Sequence, residues 1–482
     1  MKLYSLARRF MRIVAHLYFV EIQLSGLENV PRRGPLLIAA NHPGSLLDAV
    51  LLSTMVPRQI NYLAKSDLFR FPVVASVFRG LGIIPIYRAG QAPGHAERNV
   101  EAFERVYEVL ENEGCIGIFP EGRNSPQRQI AAIRTGVARM ALGAEARNDY
   151  RLGVSIVPVG VNFESRELLL SSVFLSFDEP ISISRYAEQH RIHPGEAVRA
   201  LTDDVQQSLR RQALHIEDLR LSQLVSDLSQ IAEQSPEIAL SSRISRRSSC
   251  SAAKRSLHKY WSRLLEWFRP EAKTRKDLET ALRGRQHISQ LLEQAVKEEP
   301  GAIDELSAAA ERYKSHLAQL RLKEDLEHSF DKPVQERLIR LRMTLYAVFM
   351  APLALVGFVH NIAPYLLTLL LSRLFKEEAI RGFASFAIGI AAFSLTYLAY
   401  GVWFWQEVAR SLPLCLLYLA ALLWTGFACL RYRRKITRYR DRILVRTFFQ
   451  SPDHLTQGLR QERQAIISRL QDLQQRYGSS TD

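Results

Sequence analysis

Residues 382–405 and 411–430 hold no charged side chain. Each stretch reaches the roughly 20 apolar residues that an α-helix needs to cross a bilayer. A third apolar block, 344–372, precedes them, but Pro352, His360, Asn361 and Pro364 interrupt it. Tyr400, Trp403 and Trp405 sit near one end of the second block, as aromatic residues do at a membrane interface. A chain with such segments folds partly against lipid.

Charge placement predicts how those segments run. Arg337, Arg340 and Arg342 precede the first block, Arg373, Lys376 and Arg381 lie between the first and second, and Arg431, Arg433, Arg434 and Lys435 follow the third. The turn 406–410 has Arg410 as its only cation. An excess of Lys and Arg marks the cytoplasmic side. The count predicts a transmembrane hairpin, 382–405 and 411–430, with both ends cytoplasmic. The block 344–372 is then re-entrant, turning back at Pro364, or lies in the interface. Residues 431–482 read as a charged, helical cytoplasmic tail.

The whole chain has 482 residues and a net charge of +15, with 47% hydrophobic residues, which excludes a wholly disordered chain. A basic chain with apolar blocks points to a membrane surface before nucleic acid. Cys115, Cys250, Cys415 and Cys429 are too scattered for a disulfide framework. Within 1–19, Leu3, Leu6, Ala7, Phe10, Ile13, Val14 and Leu17 recur at helical spacing opposite Lys2, Arg9 and Arg12. This amphipathic helix fits a membrane interface and equally a place on the protein's own core.

Residues 20–185 alternate short apolar runs (35–40, 59–64, 82–87, 115–119 and 154–163) with helical stretches such as 96–113. That alternation predicts an α/β domain with a mainly parallel sheet covered by helices. Residues 186–340 read as several helices. Inside them, 241–276 is basic and carries Tyr260, Trp261, Trp267 and Phe268. Such a stretch suits an anionic lipid surface, single-stranded nucleic acid or a solvated linker; the apolar blocks that follow favour lipid.

The chemistry concentrates at strand ends. Asn41-His42-Pro43-Gly44-Ser45-Leu46-Leu47-Asp48 follows the apolar run 35–40. Open α/β sheets place their sites at the carboxyl ends of strands. A neutral His is a natural general base near neutral pH, and a carboxylate on its other nitrogen fixes the tautomer. Ser45-x-x-Asp48 is also a capping pattern for a helix. Further along stand Gly82-Ile83-Ile84-Pro85-Ile86-Tyr87-Arg88, Phe119-Pro120-Glu121-Gly122-Arg123-Asn124-Ser125 and Val157-Pro158-Val159. No phosphate-cradling loop, nucleophile elbow or zinc-binding His pair appears, and no metal cluster.

As a set, these four motifs over residues 20–183 resemble the glycerolipid acyltransferase family, the glycerol-3-phosphate and 1-acylglycerol-3-phosphate acyltransferases. The Asn-His-Pro-x-Ser-x-x-Asp form and C-terminal membrane segments resemble one subgroup. This sequence departs from the common pattern twice. Five residues rather than four separate His42 from Asp48, which would turn the Asp by about 100° on a continuous helix unless Pro43-Gly44 forms a loop. The cation after Phe-Pro-Glu-Gly is shifted by one position, to Arg123, with Arg134 as a substitute nearby. The resemblance implies His42 as base and Asp48 as its partner. It implies Arg88, Glu121, Gly122 and Arg123 at the acceptor phosphate, with a backbone N–H near Gly44, Gly122 or Val159 for the oxyanion. It implies no metal or cofactor, with acyl-CoA or acyl carrier protein bringing the acyl chain. The expected function is transfer of that chain to glycerol-3-phosphate in phosphatidic acid synthesis, by an integral membrane protein with its catalytic domain on the cytoplasmic face. Lysophosphatidate is the alternative acceptor, and a non-catalytic lipid-binding membrane protein the alternative class.

Overall fold

The computed structural model describes residues 2–19, 21–43, 46–70, 72–87, 95–122, 129–164, 172–233, 278–319, 333–374, 378–448 and 453–477. Arg88, Arg123 and the basic stretch 241–276 lie outside the described residues. The chain forms two compact units, Met1–Ser222 with Lys276–Gln290, and Gln223–Arg275 with Leu291–Asp482.

The first unit is built on an eight-stranded sheet: β1 (Glu21–Ser25), β2 (Leu36–Ala40), β3 (Ile60–Lys65), β4 (Ile84–Ile86), β5 (Cys115–Ile118), β6 (Ser155–Phe163), β7 (Ser172–Phe177) and β8 (Ile181–Ser182). The order is β1-β7-β6-β2-β5-β3-β4, with β8 also on β6. β6 runs antiparallel to β7 and β8; the other pairs are parallel. The expected strands are present. β1, β7 and β8 add to them, closing one side of the sheet with a mixed edge.

The helices are α1 (Lys2–Tyr18), α2 (Leu46–Met55), α3 (Pro72–Gly80), α4 (His95–Glu111), α5 (Gly136–Arg147), α6 (Ala187–Ile192) and α7 (Pro194–Gln212). Side chains of a strand alternate between its faces, and β2 shows the consequence. Leu36, Ile38 and Ala40 face a core shared with Ala15 of α1 and with Leu51 and Leu52 of α2. Leu37 and Ala39 face a second core with Val106 of α4, Val137 of α5 and Leu201, Val205 and Leu209 of α7. The sheet is buried on both faces, which is why its central strands read as unbroken apolar runs. α7 seals the second core, so this unit runs past residue 185, where the composition changes.

α1 combines the two expectations for it. Tyr4 Oη accepts from the Ile60 amide at 3.1 Å, Arg8 donates to the Val56 carbonyl, and Ala15 is buried. Leu6, Phe10 and Ile13, on another edge, are exposed.

The second unit contains α8 (Ser222–Glu233), the C-terminal part of α9 (Leu278–Glu298), α10 (Pro300–Gln319), α11 (Pro333–Ser372), α12 (Glu378–Glu407), α13 (Leu412–Phe448) and α14 (Asp453–Tyr477). Thr344–Ser372, Ile388–Glu407 and Leu412–Arg433 are each long and apolar enough to cross a membrane. The expected reversal at Pro364 is corrected: α11 is helical through both Pro352 and Pro364. A proline removes the amide that would bond the carbonyl four residues earlier. Here the Tyr400 hydroxyl of α12 supplies a donor to that carbonyl, His360 O, at 3.3 Å. Neighbouring helices commonly satisfy backbone groups freed in this way.

Leu201 has no exposed surface. Leu201→Ala is expected to destabilise the first unit by about 2–5 kcal/mol, the range for a Leu lost from a packed core. Thermal unfolding of the purified protein checks this; an unchanged midpoint would mean that α7 does not seal the core.

Candidate active site

β2 and β5 are adjacent and parallel, so the chain segments leaving their carboxyl ends emerge side by side. Asn41 fixes the exit from β2. Its Nδ2 donates to Val161 O at 3.1 Å and its Oδ1 accepts from Val161 N at 2.6 Å, tying it to β6. His42 follows, and α2 begins only at Leu46. The extra residue between His42 and Asp48 is therefore taken up before the helix starts.

His42 Nδ1 lies 2.8 Å from Asp48 Oδ2. The Asp48 side chain has no exposed surface, whereas the His42 side chain is 18% exposed. A buried carboxylate has to be paired, and Asp48 also lies in the first turn of α2, where the helix dipole favours negative charge. In the neutral tautomer that donates Nδ1–H to Asp48, the acceptor nitrogen of the ring is Nε2. The ring stacks on Phe119 with centroids 3.9 Å apart and planes 14° from parallel. Tyr62 also stacks with Phe119, centroids 6.0 Å apart, and its hydroxyl donates to Ala49 O at 3.2 Å. Burial holds the Tyr62 hydroxyl well above its ordinary pKa, so it stays a donor at neutral pH. Burial likewise pushes the Cys115 thiol up to about 12, which leaves it protonated and non-nucleophilic.

The motif after β5 is a tight turn. Gly122 N donates to Phe119 O at 3.1 Å, and Arg134 N donates to Pro120 O at 2.9 Å. Gly122 has φ 67°, a conformation that favours glycine. Its amide is thus engaged within the turn. Val159, the other oxyanion candidate among the described residues, is buried in β6.

Glu121, which the sequence groups with the acceptor-binding residues, lies in the interior. The residue is 4% exposed. Its Oε1 accepts from His42 N at 3.0 Å and its Oε2 from Ala131 N at 3.1 Å. Both oxygens accept from backbone amides, one of them that of His42 itself, so Glu121 ties the turn after β5 to the segment after β2. The shifted cation also has a neighbour. The Arg134 side chain lies against Gly122: a Cβ built there would stand 3.0 Å from Arg134 Nε. Arg134 is exposed, so a described cation borders the turn that precedes Arg123. Among the described residues no group of His, Cys, Asp and Glu could hold a metal ion.

Glu121→Ala is expected to strand two backbone amides at a cost of about 1–3 kcal/mol each. Calorimetric or fluorescence unfolding of the variant measures the loss; wild-type stability would remove Glu121 from the framework.

Residues 21–162 match the family model described as Acyltransferase. Over 159 residues the chain is 32% identical to glycerol-3-phosphate O-acyltransferase 2 of Saccharomyces cerevisiae, a match covering 31% of this chain and 21% of the yeast protein. It is 25% identical over 196 residues to a 1-acyl-sn-glycerol-3-phosphate acyltransferase of Borreliella burgdorferi, covering 39% and 72%. The crystal structure of the 1-acyl-sn-glycerophosphate (LPA) acyltransferase PlsC from Thermotoga maritima aligns at 21% identity with a TM-score of 0.31, covering 44% of this chain and 77% of that one. The chain spans about a fifth of the first yeast relative and about two fifths of a second, glycerol-3-phosphate O-acyltransferase 1. Residues 21–162, which hold His42, Asp48 and Glu121, thus match an acyltransferase family model and are similar in sequence to proteins named glycerol-3-phosphate and 1-acyl-sn-glycerol-3-phosphate acyltransferases.

Proposed function

We propose that the protein is a membrane-bound O-acyltransferase that moves a fatty acyl chain from acyl-CoA or acyl carrier protein to the hydroxyl of glycerol-3-phosphate, on the cytoplasmic face of its membrane. The pairing of His42 Nδ1 with the fully buried Asp48, at 2.8 Å, carries the reading. It leaves Nε2 free as a base on a partly exposed ring.

His42 Nε2 takes the proton of the acceptor hydroxyl as that oxygen bonds to the thioester carbonyl carbon. Asp48 stabilises the imidazolium that forms. When the tetrahedral intermediate collapses, the carbon–sulfur bond breaks and His42 returns the proton to the leaving thiolate. The ester remains on the acceptor. A guanidinium fork matches phosphate oxygens, so Arg88 and Arg123 are assigned to the acceptor phosphate, with Arg134 beside the turn as a third cation. The identity to the yeast glycerol-3-phosphate enzyme favours that acceptor. The Borreliella relative, most of whose length is matched, favours lysophosphatidate as the second reading.

Membranes carrying the protein, given labelled acyl-CoA and both acceptors, test this; failure to acylate either would overturn it. His42→Ala is expected to lower turnover by about 10²–10⁴-fold, the usual worth of a positioned base. Asp48→Asn can still cap a helix, so unchanged activity there would show that Asp48 only caps. Arg88→Ala is expected to weaken acceptor use by about 1.5–3 kcal/mol, the scale of a charge-assisted bond, with the acyl donor's KM unmoved.

A further inference from the structure

Helices from before and after the apolar region share one core. α10 buries Ile303, Leu306, Ala310, Tyr313 and Leu317, and α14 buries Leu459, Ile466, Leu470, Leu473 and Tyr477. Both sets advance in steps of three, four or seven, the spacing of helices that meet along a seam. The rim gives the direction. Glu299 pairs with Arg476 at 3.1 Å, Glu305 with Arg469 at 3.3 Å and His316 with Glu462 at 3.0 Å. Numbers rise on one helix as they fall on the other, so the two are antiparallel. α8 joins them through Asp227, paired with Lys314 at 2.8 Å. Such a bundle stands on one side of a bilayer. α8 and α10 precede the apolar helices and α14 follows them, so the number of crossings is even although three helices are long enough to cross.

Register singles out the crossing pair. Near the start of the apolar part of α11, the Tyr346 ring lies 6.5 Å from that of Tyr432 on α13. Further along, a Cβ on Gly357 would lie 2.0 Å from Thr425 O, so the two backbones nearly touch. As α11 advances from 346 to 357, its partner on α13 retreats from 432 to 425: α11 runs out and α13 runs back. α12 meets the later part of α11. The Tyr397 hydroxyl donates to Asn361 Oδ1 at 2.8 Å, the Tyr400 hydroxyl donates to His360 O, and Gly389 faces Thr368. Just past Tyr400, the same end of α12 meets the beginning of α13, where Cys415 Sγ lies 3.5 Å from Gly401 O and the Tyr418 ring stacks 4.6 Å from that of Phe404.

We infer that the membrane segment crosses the bilayer twice, outward through α11 and back through α13, and that α12 lies in the far leaflet, clamped to α11 by Tyr397 and Tyr400. This rests on the membrane-bound part of the proposed function. It replaces the hairpin of 382–405 and 411–430 and moves Arg373 to the far side. A shared bundle core constrains the two flanks more strictly than a bias in loop charge.

Single cysteines placed at Ser315, Leu374, Val408 or Ser468, with Cys115, Cys250, Cys415 and Cys429 replaced, test it in intact cells with a membrane-impermeant maleimide. Positions 374 and 408 are expected to react alike, and 315 and 468 to behave alike and opposite to them. Opposite reactivity of 315 and 468 would overturn the even count. Position 374 grouping with 315 and 468, apart from 408, would restore the α12–α13 hairpin. All four behaving alike would show that nothing crosses, while the acyl-transfer assay reports on the catalytic reading independently. A Glu305→Cys, Arg469→Cys double variant is expected to be cross-linked in membranes by a short bifunctional maleimide, since the two side chains it replaces meet at their tips; no cross-link, with both single variants reacting normally, would remove the bundle premise.

Discussion

A carboxylate with no exposed surface dictates the geometry of the candidate site. Asp48 is affordable in the interior only with a partner and a favourable field, and it has His42 Nδ1 and the first turn of α2. Those two requirements fix where α2 starts and how the His42 ring turns. The ring then needs a flat surface, which Phe119 provides from the neighbouring strand end. Glu121, two residues on, returns to hold the His42 amide. Two segments distant in sequence are thus tied through side chain, ring and backbone at one place, and that redundancy holds the His42 ring in one orientation.

The strands that carry the site were legible because both faces of the sheet are covered, which leaves apolar runs with polar ends. β2, β5 and β6 fall within a residue or two of those runs. β1 and β7 were not legible. Glu21-Ile22-Gln23-Leu24-Ser25 alternates polar and apolar residues over a short length, and its strand character comes from pairing with β7, a partner more than a hundred residues away. The helical pattern of α7 was visible, but not that Leu201, Val205 and Leu209 would close the core on one face of the sheet.

Within the site, His42 and Asp48 were legible as a pair because their chemistry is local in sequence. Glu121 was not, since its partners are backbone amides of residues 42 and 131 and a motif names only the side chain. A Glu between Pro and Gly, just past a buried strand, reads as exposed and ligand-facing. Burial adds a structural task, because the two carboxylate oxygens accept from the backbone amides of residues 42 and 131 and so join two segments of the site. Arg134 shows the complementary case: an ordinary surface cation gains interest only because Gly122, lacking a Cβ, lets its side chain lie against the turn.

The apolar helices show how composition and packing divide the problem. Length and hydropathy mark three segments able to cross, and loop charge ranks the ways of threading them. Both treat each helix as independent. Pro364 shows the limit of that treatment, since an isolated helix would break or bend at the lost amide. A hydroxyl from α12 supplies the replacement donor, and Asn361 beside it bonds Gly357 O and accepts from Tyr397. The polar residues that make 344–372 look unfit to cross are the ones used to fasten one helix to the next. In lipid, where the apolar surfaces of helices gain little from meeting each other, such polar contacts and close glycine approaches are what define a neighbour. A hydropathy profile counts the same residues only as interruptions.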